Sequence, residues 1–223
     1  DNDRCVVVCR DPEGGGYRPL AEDYTFALAV DQVLRRNPPG STVVTNWSTS
    51  RMLEEIARAR HANLRRTPTG EVNTATAALH YHAALAGEGS CAGVIDPRVG
   101  MGRDVLVAIW HILAALTREP GDLHRAAAAL PGYCRLNRDF PTGGEAGETG
   151  ALLQRLQVHF ARREDIEFIS REDGLILYLR GGARLQVRAS NTEPLLRLRA
   201  EAPTAAEAEE LLAQALPAGV GPG

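Results

Sequence analysis

The spacing of hydrophobic positions changes several times along the chain, and each change marks an element. Cys5 to Cys9 is an apolar, valine-rich run with its two thiols on one face, and it reads as a strand ended by Pro12 and three glycines before Tyr17. Phe26, Val30, Val33 and Leu34 recur at helical spacing until Pro38, Pro39 and Gly40 stop the helix. Thr42 to Thr45 is a short β-branched strand, and Thr49 or Ser50 is placed to cap a helix whose apolar face is Leu53, Ile56 and Ala57. A weaker strand near Leu64 and a clearer one at Val94 and Ile95 continue the alternation. Val105 to Leu116 is apolar almost all round, which predicts a helix packed against a sheet. This order predicts an α/β domain over residues 20–140 with a mixed, mainly parallel sheet.

Residues 141–150, PTGGEAGETG, are polar, glycine-rich and without periodicity, and read as an interdomain linker. Beyond them Leu152, Leu153 and Leu156 mark a helix, and Ile166 to Ile169 and Leu175 to Leu179 mark strands. A Gly181-Gly182 turn follows, then two strictly alternating stretches, Arg184 to Arg188 and Leu196 to Ala200. Thr204 and Glu207 form a capping box for a last helix carrying Leu211, Leu212 and Leu216. Residues 151–216 are thus expected to be a small α+β domain with an antiparallel sheet, and 217–223 a frayed tail.

Composition narrows the function classes. A net charge of −3 provides no basic field for nucleic acid, and no apolar run of eighteen residues is present to span a membrane. The N-terminus lacks the charge order of a signal peptide, so a cytoplasmic location is expected. Four cysteines without a CxxC pair, and scattered histidines, argue against a zinc site. Every basic residue apart from the histidines is arginine, the side chain whose planar fork suits anionic ligands.

Three strings carry candidate chemistry. In RASNTEPLLR, from Arg188 to Arg197, two guanidinium groups, the hydroxyls of Ser190 and Thr192, the Asn191 amide and the backbone N–H groups of a turn are suited to a divalent oxyanion. On chemistry alone the same residues also describe a polar hairpin loop. In GEGSCAGVIDPRVGMGRD, from Gly87 to Asp104, Glu88 and Ser90 sit among glycines that let a ligand approach, and a carboxylate can accept from two adjacent sugar hydroxyls. Taken alone, this string reads first as a glycine-rich connection before a strand. At the start, Asp1 and Asp3 are closely spaced carboxylates of the kind Mg²⁺ takes, or simply a solvated chain end.

The order of residues in these strings resembles that in the α-D-phosphohexomutases, the family of phosphoglucomutase, phosphomannomutase and phosphoglucosamine mutase. The Arg188 string is similar to the family's C-terminal phosphate loop, Arg-x-Ser-(Gly or Asn)-Thr-Glu-Pro with a later Arg. The Gly87 string is similar to its sugar-binding loop, although Cys91 and Ala92 stand where many members carry Gly-His. DNDR resembles the tail of the Asp-x-Asp-x-Asp-Arg metal loop, with Asp1 and Asp3 as its second and third aspartates. VVTNWSTSRMLEEIA resembles the opening of the family's third domain, and RTPTGEVN the loop after it, which makes Glu71 a candidate substrate-side group.

This resemblance implies that residues 1–19 are the end of domain 2, followed by domain 3 and, after the linker, domain 4. It also implies a phosphosugar substrate, Mg²⁺ as cofactor, Glu88 and Ser90 as hydroxyl readers, and Arg188, Ser190, Asn191 and Thr192 as the phosphate cradle, with Arg197 in support. The implied activity is interconversion of hexose 1- and 6-phosphates through a 1,6-bisphosphate. No serine here stands in the family's phosphoserine string, so these 223 residues alone are expected to lack turnover. A non-catalytic phosphosugar-binding or regulatory module is the alternative.

Overall fold

The computed structural model describes residues 4–11, 14–89, 93–117, 122–142, 146–190 and 193–216, without the side chains of 146–149. These residues divide into two units, with the boundary between Gly132 and Tyr133. The sequence places the boundary later, at 141–150. It lies earlier because β7 (Cys134–Pro141) pairs along its whole length with a strand of the second sheet, and because α6 (Ala146–Phe160) takes up the second half of the expected linker. The polar string conceals that helix because its apolar face begins only at Leu152 and Leu153, which pack on the second core.

The first unit opens with a hairpin of β1 (Val8–Arg10) and β2 (Tyr17–Pro19). The strand expected from Cys5 onward is therefore shorter than its apolar run, since only its last residues find a ladder partner. Then come α1 (Glu22–Leu34), β3 (Thr42–Asn46), α2 (Met52–Ala59), β4 (Asn63–Thr67), α3 (Glu71–His80), β5 (Leu85–Glu88), β6 (Gly93–Ile95), α4 (Val105–Leu116) and α5 (Leu123–Ala128). The sheet order is β4-β3-β5-β6, parallel except for the antiparallel β5·β6 pair. Alternation along each strand sends Val44, Ala86 and Ile95 to the face covered by α3. The helix α1, flanked by α2 and α4, packs on the other face and buries Phe26 fully against Gly87.

The capping of α2 differs in detail from the expectation. Arg51 is the cap residue, while the Ser50 hydroxyl accepts from the Met52 N–H at 3.1 Å. The helix α4 also departs from the expected all-round packing. Val107, Ala108, His111, Ile112 and Ala115 are buried, but Leu106, Trp110 and Leu113 are exposed, because the sheet and α1 cover only one side of the cylinder.

The second unit contains β7, α6, β8 (Ile166–Ser170), β9 (Leu175–Leu179), β10 (Arg184–Ala189), β11 (Leu195–Ala202) and α7 (Ala205–Ala215). Its sheet is antiparallel throughout, in the order β7-β11-β10-β9-β8. Leu185, Val187, Leu196 and Leu198 join Phe160 of α6 and Leu211 and Leu212 of α7 in one core. The expected capping box is present: the Glu207 N–H donates to the Thr204 hydroxyl, and the Thr204 N–H to the Glu207 carboxylate, each at 3.2 Å. Gly181 and Gly182 both take positive φ in the turn before β10, the conformation that glycine adopts without strain.

Gly174 is a different case, because its φ is +82° and a methyl there would run into the Val187 carbonyl and the Cα and Cβ of Arg188. The turn it closes is held under β10 by Gln186, whose side-chain amide donates to the Asp173 carboxylate at 2.9 Å. Gly174→Ala is expected to destabilise the second unit by about 2–4 kcal/mol. Hydrogen exchange in β9 to β11 peptides should show a matching loss of protection.

In the first unit His111 is buried, with Nε2 3.8 Å from the Asp96 carboxylate. Burial pushes its pKa below the usual 6.5; the nearby charges of Arg98 and Arg36 act in the same direction and Asp96 opposes them. Below pH 6.5 the unfolded chain takes up a proton that the folded unit resists, so stability is full above that pH and falls as the solution is acidified. Both tryptophans, Trp47 and Trp110, lie in this unit and report its unfolding. Urea midpoints followed by their fluorescence should decline from pH 7 to pH 5, and His111→Gln should flatten that decline.

Candidate functional site

In the first unit the carboxyl ends of the parallel strands β4, β3 and β5 bring Thr67, Asn46 and Glu88 to one edge of the sheet. Open α/β sheets bind ligands at this edge. The chain leaving β3 is a Ser/Thr loop whose polar groups are buried and mutually bonded. The Thr45 hydroxyl donates to the Gly87 carbonyl at 2.8 Å, the Thr49 hydroxyl donates to Asn46 Oδ1 at 2.9 Å, and the Gly89 N–H donates to the Thr49 hydroxyl at 2.9 Å. Arg66 staples this loop from β4. Its guanidinium donates to the carbonyls of Asn46, Thr49 and Ser50 at 2.6–2.9 Å and, as a fork, to both carboxylate oxygens of Glu54 at 2.8 and 2.9 Å.

Glu88 is 5% exposed, at the end of β5 and opposite Gly93 on β6. A buried carboxylate needs donors and a counter-charge. The Gly70 N–H donates to its Oε1 at 3.2 Å, and a guanidinium nitrogen of Arg103 lies 4.0 Å from its Oε2. Glu71, the first residue of α3, accepts from the Arg103 N–H at 2.9 Å and from its Nε at 3.1 Å. Glu71 and Glu88 are thus drawn together by one arginine. Ser90, named beside them from the sequence, lies outside the described residues.

In the second unit the ladder places Arg188 directly opposite Arg197, with Gln186 opposite Arg199 on the same face. Two like charges facing each other across a ladder repel, and a nearby anion relieves that repulsion. Glu193 supplies one, its carboxylate 2.9 Å from Arg197 Nη2. Arg188 is 8% exposed and donates to its neighbour's carbonyl, Ala189 O, at 3.3 Å. Among the described residues its buried Nε has no hydrogen-bond partner, and neither has that of Arg197. Between the two arginines the strand ends are closed by the Ser190 N–H to the Leu195 carbonyl at 2.9 Å, and Pro194 is tied to β7 through the Thr142 N–H at 2.9 Å. Asn191 and Thr192, like Asp1 and Asp3, lie outside the described residues.

Chemically, the first edge offers a fixed carboxylate among small polar groups, which suits hydroxyls, and the second offers guanidinium groups at a turn, which suits an oxyanion. No group of three or more His, Cys, Asp or Glu side chains among the described residues could hold a metal ion, and no helix among them is long and apolar enough to cross a membrane. A cavity of about 1000 Å³ lies elsewhere in the first unit, lined in part by Val6, Val8, Ile109 and Leu113, and is chiefly apolar. Sequence reasoning missed Thr49, Arg66 and Arg103 as parts of the first edge. Arg66 opens the RTPTG string and Arg103 lies in GMGRD, but only the fold brings either one to Glu88 or to the loop after β3.

The same two units are found in known proteins. The alpha/beta/alpha domain III of phosphoglucomutase/phosphomannomutase matches residues 21–133, and the C-terminal domain of that family matches residues 138–218. A phosphoglucomutase/phosphomannomutase of Thermococcus kodakarensis is 32% identical over 212 residues, covering 95% of this chain and 44% of that protein. The solved structure of a phosphoglucomutase/phosphomannomutase family protein from Burkholderia thailandensis has a TM-score of 0.78 at 23% identity, covering 98% of this chain and 46% of that one. An N-acetylphosphoglucosamine mutase of Aspergillus fumigatus, solved with GlcNAc-6P and magnesium, has a TM-score of 0.68 at 16% identity over 96% of this chain and 50% of that one. The chain spans less than half the length of the Thermococcus relative. With successive domains of one family matched across nearly all of its length, it belongs to the phosphoglucomutase/phosphomannomutase family, as that family's domain III and C-terminal domain.

Proposed function

We propose that these residues are the sugar- and phosphate-recognising part of a phosphohexomutase, an enzyme that interconverts hexose 1-phosphates and 6-phosphates through a 1,6-bisphosphate. The observation that carries this reading is the facing pair Arg188 and Arg197 near the end of β10 and the start of β11, with buried Nε donors that the described residues leave unmet. A phosphate dianion beside that pair would relieve its repulsion and accept from its donors.

In this reading Arg188, the Ser190 hydroxyl, Asn191 and Thr192 hold the phosphate that is not being transferred. Arg197, already bonded to Glu193, keeps the turn in place. Glu88 and Ser90 read the sugar hydroxyls. Glu88 is suited to this because its carboxylate is fixed before the ligand arrives, so little ordering remains to oppose binding. Glu71, expected on the substrate side from the sequence, is turned toward Arg103 and acts through it. Phosphoryl transfer relies on placement and charge neutralisation, which are the functions these groups supply.

Asp1 and Asp3 would hold Mg²⁺ through the carboxylate oxygens that ion takes, and when bound it would neutralise phosphoryl charge. No serine among the 223 residues stands in the phosphoserine string, so this chain by itself is expected to bind but not to turn over hexose phosphates.

Arg188→Ala is expected to weaken glucose 6-phosphate binding to the chain by about 2–3 kcal/mol, or roughly 30- to 150-fold. Isothermal titration measures this directly, and an unchanged affinity would remove the cradle assignment.

A further inference from the structure

Arg103 is placed by the backbone rather than by chance of rotamer. Its neighbour Asp104 donates its N–H to the Val94 carbonyl of β6 at 2.9 Å, and the Asp104 carboxylate caps α4 by accepting from the Leu106 N–H at 2.8 Å. The segment before α4 is thereby fixed to the strand that pairs with β5. From there the aliphatic stem of Arg103 crosses directly over Gly93, where any Cβ would collide with its Cδ and Cγ. Gly93 is the ladder partner of Glu88, so the missing side chain at 93 leaves the path by which the guanidinium reaches that carboxylate.

The contacts close into a ring. Glu88 accepts from the Gly70 N–H, Gly70 precedes Glu71, both oxygens of Glu71 accept from Arg103, and Arg103 returns to Glu88. The Arg103 side chain is 16% exposed and that of Glu88 7%, so the charges meet where water screens them little. A single planar cation serves two carboxylates from different elements, the end of β5 and the head of α3, and an ammonium group cannot span both in the same way. Without it, Glu88 would lose the positive charge that lies 4.0 Å from its Oε2.

We propose that Arg103 is a positioning residue for Glu88: it sets the direction of the hydroxyl-reading carboxylate and locks it to the head of α3, and Gly93 is the gap that lets it do so. This rests on the assignment of Glu88 made above. Because it acts through Glu88, removing Arg103 impairs sugar recognition only while Glu88 is present, and leaves the phosphate cradle of the second unit unaffected.

The test is a double-mutant cycle on the 223-residue chain, titrated with glucose 6-phosphate and, separately, with inorganic phosphate. Arg103→Gln is expected to weaken glucose 6-phosphate binding about tenfold, while inorganic phosphate binding stays within about twofold. In a Glu88→Gln background the same change should cost less than about twofold, since coupled neighbours are not additive. Gly93→Ala should reproduce the effect of Arg103→Gln by displacing the stem, and Arg103→Lys, which keeps the charge and the fold but not the fork, should lose about threefold.

Equal losses from Arg103→Gln with and without Glu88, or a parallel loss of inorganic phosphate binding, would overturn the positioning role. If Arg103→Gln does not fold, the Lys and Ala variants complete the same cycle with the same criteria. A Glu88→Gln chain that binds glucose 6-phosphate as tightly as the parent would instead overturn the assignment of Glu88, and the role of Arg103 with it.

Discussion

A carboxylate buried at the end of a central strand has to be compensated where it stands, and the first unit is arranged around that requirement. Glu88 ends β5, where the parallel strands terminate together and their loops converge. Its compensation comes from the loop after β4, through Gly70, and from the turn before α4, through Arg103. The second depends on the sheet register: shifting β6 by one residue against β5 would place Val94, rather than Gly93, opposite Glu88. The loop after β3 is held in the same way by Arg66, so two arginines fix most of the polar edge. In energetic terms the edge is stiff because its charges and hydroxyls have partners inside the fold.

The second unit poses the opposite problem. Its ladder brings two positive charges face to face at Arg188 and Arg197, with the Glu193 carboxylate 2.9 Å from Arg197 and Asp139 of β7 opposite Arg197 on its other side. The apolar side of the same strands, Leu185, Val187, Leu196 and Leu198, is locked into the core, so the arginines cannot separate by slipping. Core packing thus maintains an electrostatic arrangement that local repulsion opposes. Rule-breaking of this kind within an otherwise consistent element is expected where a ligand completes the structure.

Much of this architecture was legible in the sequence. The alternation from Arg184 to Arg188 and from Leu196 to Ala200 predicts β10 and β11, and the Thr204–Glu207 capping box is found as expected. What was not legible has a common cause, which is that it depends on partners distant in the chain. The strand β7 shows weak alternation and exists because β11 offers it a full ladder. Arg103 looks like an ordinary loop residue until β6 carries it past Gly93. Glu71 reads as a ligand group from its string, yet the fold occupies it with an arginine 32 residues away. The exposed side of α4 likewise could not be read from a helix apolar almost all round, because periodicity is silent about which side the rest of the fold covers.

In the proposed function a hexose phosphate places its phosphate beside Arg188, where β10 ends. A crystal structure of the chain soaked with glucose 6-phosphate tests it most directly. Phosphate oxygens are expected within hydrogen-bond distance of the Arg188 guanidinium and the Ser190 hydroxyl. A phosphate bound at another place, with that site left as solvent, would contradict it.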